Sequence, residues 1–186
     1  MKLKRYLFVA FCTLLLSFSS NVKADEIIVG EGNDNTSRHN GLPFYPFYHC
    51  GWSENLYSQE DLANYGVEEG DINSLAIQLK TPNMARTAFG TLQIWLANTD
   101  LTTFSTSKSG KENAEYTLVY EEPNYTINDN IIGVDGWLTY DLLGEFGKEG
   151  PYEYTGDGLL VYICYTHKTY VSGNKGFRAT QVATAG

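Results

Sequence analysis

The sequence predicts an all-β domain, a sandwich or barrel of roughly eight antiparallel strands with one short helical turn, and three observations carry that expectation. Wherever the chain is apolar, side chains alternate with a period of two, the signature of a strand with one face buried. Almost nowhere does a helical period persist beyond two turns. Gly and Asn punctuate the joints, as in GEGNDN (residues 30–35), NDNIIGVDGW (128–137) and YTGDG (154–158), where turns need backbone freedom and short polar side chains.

Taken in order, the first expected strand is Ile27 to Val29, and the second covers Trp52 to Tyr57. One helical turn is expected over 59–65. Ser58 is placed to cap it, Asp61 stands where a capping-box partner would reach back, and Gly66 supplies a left-handed stop. Asp61 is shorter than the preferred Glu or Gln, which predicts a loose box. Leu75, Ile77 and Leu79 then share one strand face, as do Leu92, Ile94 and Leu96. The same spacing puts Tyr116, Leu118 and Tyr120 on a common face. Ile131 to Val134 and Trp137 to Leu142 follow. The run GLLVYICYT (158–166) sets Leu159, Val161, Ile163 and Tyr165 against Leu160, Tyr162 and Cys164. Being apolar on both faces, it is expected to be a central strand covered on both sides.

The first 24 residues carry Lys2, Lys4 and Arg5, an apolar run from Tyr6 to Leu16, and small residues ending at Ala24. That is the layout of a secretory signal peptide, and the run is too short for the roughly 20 apolar residues of a transmembrane anchor. Phe11 before Cys12 argues against lipid attachment there. The expected domain is therefore 25–186, a single unit of an exported protein. The whole chain has a formal net charge of −9. Removing the leader takes four of the 13 basic residues and no acid, leaving 9 against 22 and a net charge of −13. Such an acidic field repels phosphate backbones and anionic lipid surfaces, which excludes nucleic acid as the expected partner.

Cys50 and Cys164 remain, and export permits them to pair. A bridge closing so long a loop would be worth about 2–5 kcal/mol. The other reading is two free thiols serving as small hydrophobes.

Catalytic motifs are missing. His39, His49 and His167 are scattered, without a metal-ligand spacing. His49 adjoins Cys50, but neighbours on a strand point to opposite faces, which is wrong for a nucleophile–base pair. No Gly-x-Ser-x-Gly elbow is present, and Gly30-Glu31-Gly32 lacks the third glycine and the helix of a phosphate loop. Acid pairs such as Glu121-Glu122 have the composition of a glycosidase site but equally that of a solvated face. For structural calcium, the Gly- and Asn-rich turns offer Glu31 and Asp34 in one place and Asp129 and Asp135 in another, the alternative being plain turn chemistry.

Aromatic residues are the strongest remaining signal. The chain has 14 Tyr, and PFYPFYHCGW (43–52) gathers Tyr45, Tyr48 and Trp52 near its start. Tyr and Trp present a flat face with a polar edge, which suits sugar rings and protein interfaces; the alternative is that these rings fill the core and its rim.

The succession IIVGEG, LPFYPFYHCGWSENLYSQEDL, INSLAIQLKT, LQIWLANTDLTTF, YTLVYEE, GWLTYDLL, PYEYTGDGLLVYICYT and GFRAT resembles a module of Bacteroidota secreted and cell-surface proteins. Those modules are adhesin-like, often labelled fibronectin type III-like, and akin to the cleaved-adhesin domains of gingipain-type proteases. The resemblance spans Ile27 to Thr180 and implies a jelly-roll β-sandwich. It also implies that the aromatic block is the way such a domain opens. Two departures stand out: the family's further aromatic strand after GFRA is not matched, so the module lacks its last strand or closes differently, and the loop from Gly144 to Gly150 is longer. No C-terminal sorting domain is matched, which leaves secretion, surface display and periplasmic residence as expected locations. The resulting expectation is a non-catalytic module binding a glycan or an extracellular or cell-surface protein, through Tyr45, Tyr48, Trp52 and Trp95, with Asp100 and Asp135 accepting hydroxyl hydrogens. A glycoside hydrolase on the same sandwich and a structural spacer are the alternatives.

Overall fold

The computed structural model describes residues 25–29, 34–35, 50–78, 87–104, 110–127, 136–166 and 178–179. The expected leader, residues 1–24, lies outside them. Among the described residues no helix is long and apolar enough to cross a membrane. The architecture is all-β and sandwich-like, built from antiparallel pairs that do not close into a barrel. The strands are β1 (Asp34–Asn35), β2 (Cys50–Tyr57), β3 (Gly70–Ile72), β4 (Ser74–Gln78), β5 (Thr87–Ala88) and β6 (Thr91–Thr99). They continue with β7 (Thr117–Pro123), β8 (Thr126–Ile127), β9 (Trp137–Asp141), β10 (Tyr152–Tyr154), β11 (Gly158–Thr166) and β12 (Arg178–Ala179). Helix α1 (Gln59–Asn64) follows β2, and a 3-10 turn spans Gly110–Glu112.

The main sheet has the order β2-β11-β6-β7. β11 lies between β2 and β6, as its two apolar faces require. Leu159, Ile163 and Tyr165 enter the core, while Leu160 (0% exposed) and Tyr162 (9%) are covered on the opposite face. Gly158 opens this strand because an added Cβ would lie 2.9 Å from the Thr99 carbonyl oxygen and 3.0 Å from that of Tyr57. The strand passes between two carbonyls with no room for a side chain.

Besides the β1–β12 pair, shorter ribbons form the remainder, with β3 pairing β10, β4 pairing β9 and β5 pairing β8. Their apolar side chains join the inner face of the main sheet in one cluster. Leu92, Ile94 and Leu96 of β6 contribute to it, as do Leu138 and Tyr140 of β9, Ile127 of β8 and Leu62 of α1. Each fully buried aliphatic side chain of this set contributes about 1.5–3 kcal/mol through removal from water. Tyrosine is unusually prominent here. Tyr120 meets Tyr140 edge-on at 5.3 Å between ring centres, and Phe89 meets Tyr165 at 5.4 Å. The Tyr125 and Tyr140 hydroxyls bond each other at 3.1 Å, while Tyr120 donates to Glu122. Buried hydroxyls need such partners, and these rings obtain them within the core itself.

Helix α1 follows its local signals. The Ser58 hydroxyl accepts from the Asp61 N–H at 3.2 Å, and Gly66 takes φ +79° at the C-terminal stop. The box departs from the full pattern, because the Asp61 carboxylate accepts the Ser58 hydroxyl at 2.6 Å. The shorter acid reaches the side chain of its capping partner.

Two expectations are corrected. Ile27 to Val29 form no strand and lie open to solvent, at 41%, 52% and 36% exposure, since apolar character alone supplies no pairing partner. The common face of Tyr116, Leu118 and Tyr120 is broken by a register shift in the β6–β7 ladder. Ile94 opposes Tyr120, but Trp95 opposes Leu118, so Val119 is an extra residue on β7. Such a bulge displaces the alternation by one. Tyr120 and Val119 both turn into the core, and Tyr116 is left on the other face. The expected strand Ile131 to Val134 lies outside the described residues.

Candidate functional site

The outer face of the main sheet is assembled by register. Reading across the strands, Trp52 of β2 opposes Cys164 of β11, which opposes Gln93 of β6, which opposes Glu121 of β7. One step along, Glu54 opposes Tyr162, which opposes Trp95. Paired residues share a face, so Trp52, Glu54, Tyr162, Cys164, Trp95 and Gln93 form one continuous surface. The segment 110–116 then folds across it. Asn113 donates to Glu54 at 2.9 Å, and the Tyr116 hydroxyl donates to the other oxygen of the same carboxylate.

Three rings meet around Tyr162. Trp52 stacks on it with centroids 5.7 Å apart and planes at 20°, and Tyr116 packs on it at 5.8 Å and 56°. Trp95 is its neighbour in the ladder. The Lys111 ammonium lies over the Trp95 ring, 2.9 Å from its centre and 5.3 Å from that of Tyr162. Trp52 is the open member, with 52% of its surface exposed.

A polar rim runs beside the rings. Cys164 donates through sulfur to the Gln93 carbonyl at 3.3 Å, Gln93 donates to Glu121 at 3.1 Å, and Lys148 pairs with Glu121 at 2.9 Å. Lys148 is brought there by the chain alongside β7, where the Lys148 N–H bonds Val119 and the Glu121 N–H bonds Phe146. The hydrogen bonds from Lys148 and Gln93 hold the Glu121 carboxyl below its ordinary range. Burial pushes the Cys164 thiol up, with Lys111 and the Trp95 indole pulling the other way, so the thiol is a poor nucleophile. The Trp95 N–H is buried and aims toward this sulfur without reaching hydrogen-bond geometry. Burial first, then the bond to Glu54, holds Tyr116 protonated far above the ordinary tyrosine range. Lys111 stays exposed as a residue, but its ammonium rests on rings in place of water, which lowers its pKa against an opposing pull from Cys164.

The structure brings two of the expected binding residues, Trp52 and Trp95, to opposite sides of Tyr162. Asp100 is not with them. It follows Thr99 at the far end of β6, roughly 20 Å from the level of Trp52 at about 3.3 Å per strand residue. Tyr45, Tyr48, Glu31, Asp129 and Asp135 lie outside the described residues, and Asp34 is described only by its backbone, opposite Ala179. Among the described residues no three His, Cys, Asp or Glu side chains gather at metal-binding distance. Of the two readings of Cys50 and Cys164, a bridge or a pair of free thiols, the structure has free thiols at both positions. Cys164 faces Trp52 while Cys50 faces Thr166, so the two are diagonal neighbours. Diagonal positions lie about 7–8 Å apart, beyond the usual span of a disulfide.

Tyr162, Tyr116, Lys111, Glu54 and Gln93 were not anticipated. Alternation along β11 points Tyr162 outward and was legible; Lys111 and Tyr116 reach the face only because their segment folds back. A second recess of about 60 Å³ lies between Tyr120, Glu122, Tyr125, Leu138 and Thr139. It has room for water but not for a sugar ring, and its one carboxylate is already engaged by Tyr120. Compared with known protein families, curated proteins and solved structures, the chain matches none of them.

Proposed function

We propose that this chain is an exported, non-catalytic binding module, adhesin-like in character, that engages a glycan or a cell-surface or matrix protein through the outer face of its main sheet. The observation that carries the reading is Trp52, half-exposed on top of Tyr162 with Trp95 and Tyr116 beside it. A large ring held open to solvent on a rigid strand loses little entropy on binding and offers both apolar area and a polar edge. The side chains around it are engaged in positioning one another: Glu54 is held by two donors, and Gln93 links Cys164 to Glu121. The layout of the first 24 residues and the resemblance to secreted adhesin-like modules support export.

The test is a screen of the purified protein, shown folded by near-ultraviolet circular dichroism, against immobilised glycans and extracellular-matrix proteins. Saturable binding that Trp52→Ala weakens at least fivefold, without loss of fold, is the expected result. Binding untouched by Trp52→Ala, or none from folded protein, would overturn the reading, the latter in favour of a structural spacer.

A further inference from the structure

The place where the face is most completely built is already occupied. The Lys111 ammonium sits against Trp95 and within reach of Tyr162, with a short linker of the same chain carrying it there. Among the described residues Lys111 makes no ion pair, although Glu54 and Glu121 stand on the same face. Glu121 is committed to Lys148, and Glu54 accepts from Asn113 and Tyr116. The cation is thus held by ring faces and not by a carboxylate. That is how aromatic surfaces recognise ammonium groups, through the negative face of the ring quadrupole.

We propose, building on the binding-module reading, that the Trp95–Tyr162–Trp52 surface is a receptor for a lysine side chain presented by a partner protein, and that Lys111 is its resident, displaceable occupant. Three features fit this ligand. The group seated on the rings is itself a lysine, so the spacing from backbone to ring suits a four-carbon stem ending in an ammonium. Trp52 extends the platform into solvent, where the stem of an incoming residue finds apolar cover. The carboxylate of Glu54, one position along from Trp52, keeps lone pairs beyond the two used by Asn113 and Tyr116. The whole chain, at net charge −9, also draws basic partners toward it.

An exposed cation–π contact shifts occupancy about two- to fivefold, and a desolvated one up to about 30-fold. Removing Lys111 therefore frees the rings for an external ammonium by roughly tenfold. The experiment is a tryptophan-fluorescence titration of the folded protein with Nα-acetyl-lysine N-methylamide. Nα-acetyl-norleucine N-methylamide, with the same stem length and no charge, is the control. The lysine probe should bind Lys111→Ala and Lys111→Met about tenfold more tightly than the unchanged protein. Trp95→Ala in either background should abolish the gain, and the norleucine probe should not bind. Equal affinity for both probes, or no gain in either folded Lys111 variant, overturns the proposal. If the probes fail while Trp52-dependent binding to the immobilised ligands persists, the receptor assignment falls and the binding-module reading stands.

Discussion

Raising the pH above 10 attacks the core of this protein through its tyrosines. Tyr120, Tyr125 and Tyr140 are 6%, 3% and 1% exposed, and burial raises the pKa of each above the ordinary 10.0. A phenol whose folded pKa is raised keeps its proton in the native state where the unfolded chain has released it. Below the unfolded pKa of 10.0 both states are protonated and stability is unaffected; above it stability falls with pH until the folded groups themselves ionise. Each such tyrosine costs about 1.4 kcal/mol by pH 11 and about 2.7 kcal/mol by pH 12, from the linkage relation. Three together withdraw about 4 and then about 8 kcal/mol, against a total of about 5–15 kcal/mol for a typical domain. Unfolding is therefore expected between roughly pH 11 and 12. The assay follows phenolate absorbance at 295 nm and far-ultraviolet circular dichroism on the same samples. A subset of tyrosines should ionise only in the step that destroys the strand signal. Tyr140→Phe, at a neutral-pH cost of about 1 kcal/mol for the bond to Tyr125, should reduce the alkaline slope by about a third. Smooth ionisation of every tyrosine near pH 10 with the fold intact would refute the reasoning.

Further outcomes are expected elsewhere in the molecule. Leu96→Ala, at a position with no exposure, should cost about 2–5 kcal/mol in urea or guanidinium unfolding, from lost burial plus the cavity left behind. Gly158→Ala should be more damaging than Gly66→Ala: the first drives a methyl against two backbone carbonyls, whereas the second meets open space and costs about 1 kcal/mol of left-handed strain. Lys148→Met should change stability by less than about 1 kcal/mol, an effect that fades in salt, because its partner Glu121 is substantially exposed. Thiol labelling of the folded protein should find Cys50 reactive and Cys164 slow, since Cys50 is exposed whereas Cys164 is half-buried and bonded to Gln93; a mass equal under reducing and non-reducing conditions checks that both remain thiols.

Much of the architecture was legible because it depends on local pattern. The two-faced apolar run Gly158–Thr166 can be satisfied only inside a sheet, and it lies between β2 and β6. Ser58 and Gly66 mark the ends of α1 through hydrogen bonds and dihedrals that span a few residues. Ile27 to Val29 show the limit of the same logic. Their composition suits a strand, yet a strand exists only where another supplies its hydrogen bonds, and composition does not name a partner.

The candidate face was half legible for a related reason. Trp52 and Trp95 stand out as large rings in alternating segments, and alternation alone places each on a definite side of its own strand. Their meeting across Tyr162 depends on the register of β2, β11 and β6, which is set by the fit of the whole core. The bulge at Val119 turned Tyr120 inward and left Tyr116 outside, a one-residue shift invisible to a period-two count. Lys111 and Glu54, 57 positions apart, come together only because residues 110–116 fold back over the sheet. By itself, the sequence determined an acidic all-β chain, its central strand, its helical turn and its wealth of aromatic rings, because those follow from composition and short-range periodicity. Only the tertiary structure decided which rings share a face, that the two thiols sit diagonally and free, and that a lysine rests on the aromatic platform, because each depends on contacts between residues remote in the chain.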